Sequence, residues 1–304
     1  MDFVTPRVPW TPIDVMQLLF VWIAALFIGQ TTYGIFAPPK VEGLHSVRHE
    51  DNQTLSVEFL PNNKYKSTAE NGTFSFKGKF APQDRNTIIL SPYKSDKTHN
   101  VILKTTERDR LGIIIINIIF VQCSMIILIG ILLFRYRIKW NSAFGKLKDG
   151  PWVISLSCLI GLGFIIPAYG LNFISQIIVT ALGGEVTTQE AVKMVSNSGS
   201  STELILQALS VVILAPIAEE LFFRGVVYTA IKQAGYPGLA VGFSAIFFAS
   251  IHGSLALILP LTLLAIVLIW IYEKTGSIFA PILVHATFNA VNFTMIKLLP
   301  EMMN

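Results

Sequence analysis

The sequence predicts an all-α polytopic membrane protein of about seven transmembrane helices, with a small β-rich extramembrane insert after the first helix. Three observations carry that reading. Of the 304 residues, 52% are hydrophobic and 14% charged, against about 25% charged in soluble domains, and the mean hydropathy is +0.59. Apolar runs of about 20 residues, the length that crosses a bilayer, recur along the chain. Between the first two runs, about 75 residues break that pattern with short alternating segments.

The first run, 14–36 (DVMQLLFVWIAALFIGQTTYGIF), is preceded by a single basic residue, Arg7, and is long for the apolar part of a signal peptide, so it reads as an anchor. The insert that follows is too long for a structureless loop. TLSVEFL at 54–60 and GTFSFKGKF at 72–80 alternate apolar and polar residues, NTIIL and NVILK add apolar runs, and Asn71-Gly72 is a hairpin turn signal. A β module on the extracytoplasmic face is expected, without a catalytic constellation. The run 111–134 (LGIIIINIIFVQCSMIILIGILLF) is the clearest span, and the next extends from Pro151 to about Leu182 with a kink expected at Pro167. Four more follow at 203–232, 238–253, 255–272 and 277–298. The chain thus divides into an anchor (1–36), the insert (37–110), a span with a basic loop (111–150) and a helical core (151–304).

The loop 135–150 carries five Lys/Arg, and Lys232 and Lys274 fall on its side when the spans alternate. The positive-inside rule makes that side cytoplasmic, with the N-terminus inside and the C-terminus outside. The expected setting is a multi-pass protein of the bacterial inner (plasma) membrane, in contact with membrane lipid. Cys123 and Cys158 lie in apolar segments and read as small buried hydrophobes. No basic stripe with interleaved aromatics marks a nucleic-acid partner.

An ionisable side chain within a span costs about 2.5–3.5 kcal/mol on insertion scales, so each is a candidate for function. In APIAEELFFRGV (215–226), Glu220 and Arg224 are helical i,i+4 neighbours that can pair, while Glu219 sits about 100° around the helix. Adjacent carboxylates in low dielectric do not both ionise cheaply, which leaves Glu219 suited to take up a proton as a general base. The bland alternative is a structural ion pair with a spare glutamate. Phe248-x-x-x-His252 and His285-x-x-x-Asn289 are weak signals separately, since a span-end histidine and a polar helix face are commonly packing features. Depth joins them. At 1.5 Å per residue Glu219 lies ~20 Å from Lys232, His252 ~21 Å from Gly238, and His285 and Asn289 ~12 and ~18 Å from Ser277.

Together these motifs resemble the CPBP intramembrane proteases, also called the ABI family or type II CAAX prenyl endopeptidases. APIAEELFFRGVVY matches the first family motif, FFASIHG the second and PILVHATFNAV the third, over about residues 150–298. The resemblance implies an endopeptidase in which Glu219 and His252 activate water, His285 and Asn289 complete the site, and Glu220 and Arg224 fill the other charged positions of the first motif. Two mechanisms stay open: zinc held by Glu219, His252 and His285, or metal-free chemistry in which His285 and Asn289 form the oxyanion hole. Substrates would be peptides or lipidated proteins, with CAAX-type processing one possibility. Two other classes compete: an ion- or proton-coupled transporter, and a catalytically silent peptide-binding or immunity-type membrane protein. Convergence of Glu219, His252, His285 and Asn289 in space discriminates between them.

Overall fold

The computed structural model describes residues 5–36, 43–49, 54–60, 62–69, 75–82, 87–93, 99–103, 110–147, 150–184, 190–196, 198 and 200–298. The chain forms two compact units, Met1–Phe27 with Asn117–Asn304, and Ile28–Ile116.

Helix α1 (Pro12–Phe36) begins where local chemistry dictates. Pro12 occupies the first turn, where a missing N–H costs nothing. Thr11 N–H donates to Asp14 Oδ2 at 2.8 Å while Asp14 N–H reaches back to the Thr11 hydroxyl at 3.5 Å, a reciprocal cap.

The insert is a closed six-stranded antiparallel barrel in sequential order: β1 (Gly43–His49), β2 (Thr54–Leu60), β3 (Lys64–Ala69), β4 (Ser75–Pro82), β5 (Thr87–Pro92) and β6 (His99–Leu103). Pairing of β1 with β6 closes it. Alternate residues point inward, and Val47, Val57, Phe59, Tyr65, Phe80, Ile88 and Leu90 form its core. Four of the strands coincide with the alternating or apolar runs of the sequence. The other two, GLHSVRH and KYKSTA, escape a hydrophobic pattern search; in the second, the buried inward residues include Ser67. Between β2 and β3 the chain turns through Asn62 (φ 64°) and Asn63 (φ 58°), left-handed conformations that asparagine tolerates. The Asn71-Gly72 signal lies outside the described residues.

The helical unit continues with α2 (Leu111–Arg135), the short α3 (Trp140–Phe144), α4 (Gly150–Gly163), α5 (Ile165–Ala181), α6 (Glu190–Ser196), α7 (Ser201–Gln233), α8 (Pro237–Ser250), α9 (Ile258–Thr275) and α10 (Phe279–Leu298). Among the described residues six helical segments are long and apolar enough to cross a membrane, α4 and α5 counting as one. The seventh expected span is shorter than the sequence suggested: α8 has 14 residues, about 21 Å of helix against about 30 Å of hydrocarbon. It stops at Ser250, so His252 lies in the turn beyond it. The kink expected at Pro167 is a break at Phe164, between α4 and α5. Pro167 has no N–H for the carbonyl four residues back, and the ladder opens there.

The basic loop is more than a connection. Within α3, Ala143 and Phe144 are fully buried, Trp10 packs against Phe144 with the rings tilted, and the Phe144 carbonyl accepts from Ile278 N–H at 2.9 Å. Phe144 also explains a glycine of the first motif, because a Cβ on Gly225 would lie 2.6 Å from its ring. Small residues let other helices meet closely as well. A Cβ on Gly161 of α4 would lie 2.6 Å from the Val284 carbonyl of α10.

One end of this unit is tied by polar contacts. Tyr136 donates to Asp14 at 2.8 Å, which holds its hydroxyl above its ordinary pKa. Glu273 accepts from Tyr228 at 2.7 Å and pairs with Lys232, whose ammonium also donates to Thr5 at 2.8 Å. Gly161→Ala is expected to lower stability by about 1–3 kcal/mol through overpacking. Thermal unfolding of the detergent-solubilised protein measures it, with Gly130→Ala, which meets nothing within 4 Å, as the neutral control.

Candidate functional site

The site starts from an irregular backbone. α7 contains two wide, π-type turns, Leu209–Leu214 and Leu221–Tyr228, on either side of the α-helical turn that carries the glutamates. Such turns are rare and concentrate at functional positions. Pro216 accounts for the bonding at the first. Ala215 N–H bonds to the Ser210 carbonyl, five residues back. In that register the Val211 carbonyl would pair with residue 216, and proline has no N–H to give. The orphaned carbonyl accepts instead from Asn289 Nδ2 of α10 at 2.9 Å. Its neighbour Ser210 receives Gln122 Nε2 from α2, at 3.1 Å on the carbonyl and 2.8 Å on the hydroxyl. Two side-chain amides from other helices thus hold the wide turn that sets the rotation of Glu219 and Glu220.

From that turn a row of charged and polar groups crosses the helix interface. Arg224 Nη1 donates to Glu220 Oε1 at 2.8 Å, and both side chains are 0% exposed. His285 Nδ1 meets the same oxygen at 2.8 Å. Glu220, already paired with Arg224, can only accept there, so Nδ1 carries a proton and the ring is oriented. Its other nitrogen, Nε2, faces Glu219 Oε2 at 3.8 Å, beyond a direct hydrogen bond. Glu219, at 26% side-chain exposure, is the more open of the two carboxylates. The order Arg224–Glu220–His285–Glu219 alternates cationic or proton-bearing groups with carboxylates.

Phe248 of α8 fastens this row to the second motif. Its ring lies under the Arg224 guanidinium at 4.6 Å, edge-to-face with His285 at 5.8 Å and against His252 at 4.9 Å. His252 Nδ1 bonds the Phe248 carbonyl at 2.8 Å, which fixes Nδ1 as the protonated nitrogen and caps the last turn of α8. Gly253 then leaves the helix at φ 67°.

Of the six residues singled out in the sequence, Glu219, Glu220, Arg224 and His285 meet directly, and His252 joins them through Phe248. Asn289 is bonded to the backbone of the glutamate helix rather than to the carboxylate row, leaving the second N–H of its amide for another acceptor. Pro216, Gln122 and the Val211 carbonyl were not singled out. The available signal was a proline inside the apolar run, next to the motif. Among the described residues, Glu220 Oε2 and Arg224 Nε are buried without a hydrogen-bond partner, so this cluster is costly and stands only while its charges are mutually paired.

Two outcomes follow. Glu220→Ala strips a buried guanidinium of its partner and is expected to cost about 3–5 kcal/mol, while Glu219→Gln leaves the unfolding midpoint nearly unchanged. Asn289→Ala orphans a carbonyl and is expected to cost about 1–3 kcal/mol, and less in a Pro216→Ala background that restores an N–H at position 216. A double-mutant cycle on thermal unfolding reads that coupling.

Comparison with known proteins bears on the same region. Residues 201–291 match a family model described as type II CAAX prenyl endopeptidase Rce1-like. The UPF0177 protein YxdF of Lactococcus lactis subsp. lactis (strain IL1403) is 25% identical over 176 residues, which cover 56% of this chain and 93% of that protein. No solved structure matches. All six motif residues lie inside the segment that resembles the Rce1-like type II CAAX prenyl endopeptidase model.

Proposed function

We propose that this protein is an intramembrane endopeptidase in which Glu219 is the general base and His285 the principal electrophilic donor. The observation that carries the reading is the row Arg224–Glu220–His285–Glu219, in which a buried ion pair orients one histidine against a second, more accessible carboxylate. A structural ion pair alone has no use for the second carboxylate.

The steps follow from these groups. Water attacks the scissile carbonyl carbon, and Glu219 takes the proton it loses. With Nδ1 held by Glu220, the His285 ring turns Nε2 toward the scissile group, where a proton on that nitrogen donates a hydrogen bond to the developing oxyanion. Collapse of the tetrahedral intermediate breaks the C–N bond, and the proton held by Glu219 passes to the leaving amine. His252, fixed by the Phe248 carbonyl, assists Glu219 in activating the water. Asn289 holds the Val211 carbonyl with one amide hydrogen and offers the other toward the substrate. Substrates in this reading are membrane-inserted peptides or lipidated protein termini, with CAAX-type processing one class.

A second reading rests on the same histidine. A carboxylate on the far nitrogen of an imidazole is the usual support behind a metal ligand, and Glu220 takes that place behind His285, although among the described residues no three such side chains are grouped closely enough to hold an ion as they stand. Glu219, His252 and His285 would hold the ion, which would supply a water acidified toward neutral pH.

The purified protein in lipid, given candidate membrane peptides, is expected to cleave. Glu219→Gln and His285→Ala are each expected to lower the rate about 10²–10⁴-fold, and His252→Ala also lowers it. Full activity in Glu219→Gln would remove the mechanism, and absence of cleavage by the unsubstituted protein would return the transporter and silent-binder classes. Loss of activity with a chelator and recovery on adding zinc selects the metal reading, and indifference to both selects direct activation of water.

A further inference from the structure

The barrel carries a feature that no protease needs. Its register sets Lys64 opposite Lys79 and Lys66 opposite Lys77 on β3 and β4, and all four side chains are exposed. The face continues onto β5, where Ser91 lies opposite Lys79 and Tyr93, 58% exposed, donates its N–H to the Lys77 carbonyl at 3.0 Å. Like charges placed directly across an antiparallel pair destabilise it. Lysines on strands commonly guard an open edge against further pairing, but this sheet is closed and has no edge to guard. Among the described residues Glu58, opposite Lys66, is the one carboxylate in register with the four. The arrangement calls for negative charge from outside the barrel.

We propose that this lysine–tyrosine face docks on the anionic lipid headgroups of the bilayer that holds the chain. Three features favour that occupant. Only residues 37–42 separate the end of α1 from β1, a tether of about 25 Å at full extension, so headgroups are present at high effective concentration. The cations are all lysines, flexible and strongly hydrated point charges suited to a diffuse layer of phosphates, with none of the planar arginine forks that grip a single carboxylate. The flanking tyrosine has an apolar body and a polar tip, the combination enriched at membrane interfaces. The inference is independent of the protease reading.

Site-resolved lysine footprinting tests it on the full-length protein. In nanodiscs of phosphatidylcholine, with or without phosphatidylglycerol, a water-soluble amine reagent is applied briefly and acylation at Lys64, Lys66, Lys77 and Lys79 is read by mass spectrometry. Reactivity is expected to fall about threefold or more in the anionic discs and to recover in about 1 M salt, where charge interactions are screened. As a second measurement, the protein in neutral discs is expected to co-sediment with phosphatidylglycerol vesicles. The fourfold Lys→Gln variant is expected to lose about tenfold or more of that binding, and the fourfold Lys→Arg variant to keep it. Equal lysine reactivity in the two discs overturns the proposal. So does protection by a single-stranded oligonucleotide without protection by phosphatidylglycerol, which would give the face to nucleic acid.

Discussion

The arrangement of the late helices depends on one constraint, the burial of the Arg224 guanidinium. A cation fully withdrawn from water is tolerable only if its counter-charge and hydrogen bonds are supplied on the spot. Glu220 supplies the charge from one helical turn away. The Ala265 carbonyl on α9 accepts at 3.4 Å, and the Phe248 ring on α8 covers the cation. His285 on α10 then takes up the remaining capacity of Glu220 Oε1. Three helices are thereby committed to positions around a fourth by polar contacts, where apolar packing in lipid discriminates poorly between neighbours. The same contacts that fix the helices present Glu219 and His285 to each other.

Irregular backbone within membrane-spanning segments persists only where other protein groups satisfy what the helix leaves open. Two of the breaks here have such an account. The carbonyl that Pro216 cannot serve is taken by Asn289. The end of α8 is closed by the His252 ring on the Phe248 carbonyl. In the proposed mechanism Asn289 and His252 therefore do two jobs, and a loss of activity on replacing either would report both. Position and chemistry separate only when the backbone donor is restored independently, as a replaced Pro216 does for Asn289.

Much of this was legible in the chain. The i,i+4 pairing of Glu220 with Arg224 follows from helix geometry and is present at 2.8 Å. The common depth was read for Glu219, His252, His285 and Asn289, of which His285 faces Glu219 at 3.8 Å while Asn289 bonds the Val211 carbonyl, and four of the six strands were visible as alternating or apolar runs. What was hidden has physical reasons. Periodicity reports one element at a time, so it does not say which histidine faces Glu219. A carbonyl orphaned by a proline leaves a mark only on the backbone. Strand β3 looks like a polar loop because a closed barrel of this size accepts Ser67 among its inward residues, and the lysine face exists only once the register of β3 against β4 is known. The length of α8 was overestimated because apolar composition continues through Ile251 after the helix has ended.

Contacts at one end of the helical unit settle which chain positions share a level. Asp14 with Tyr136, Lys232 with Glu273, and Lys232 with Thr5 bring the start of α1, the end of α2, the end of α7 and the end of α9 together. Arg135 and Arg137 lie at this level, and they are among the charges from which the positive-inside reading takes it as cytoplasmic. Measured along α7 from Lys232, Arg224 lies about 12 Å and Glu219 about 20 Å deep. An extended peptide covers the ~20 Å to Glu219 with about six residues. For a substrate entering from this end, the bond that reaches Glu219 is thus at least that many residues from the last one held at the surface. A lipidated terminus drawn into the bilayer can supply such a length, whereas a peptide bond in a folded cytoplasmic loop cannot unless the loop first unravels.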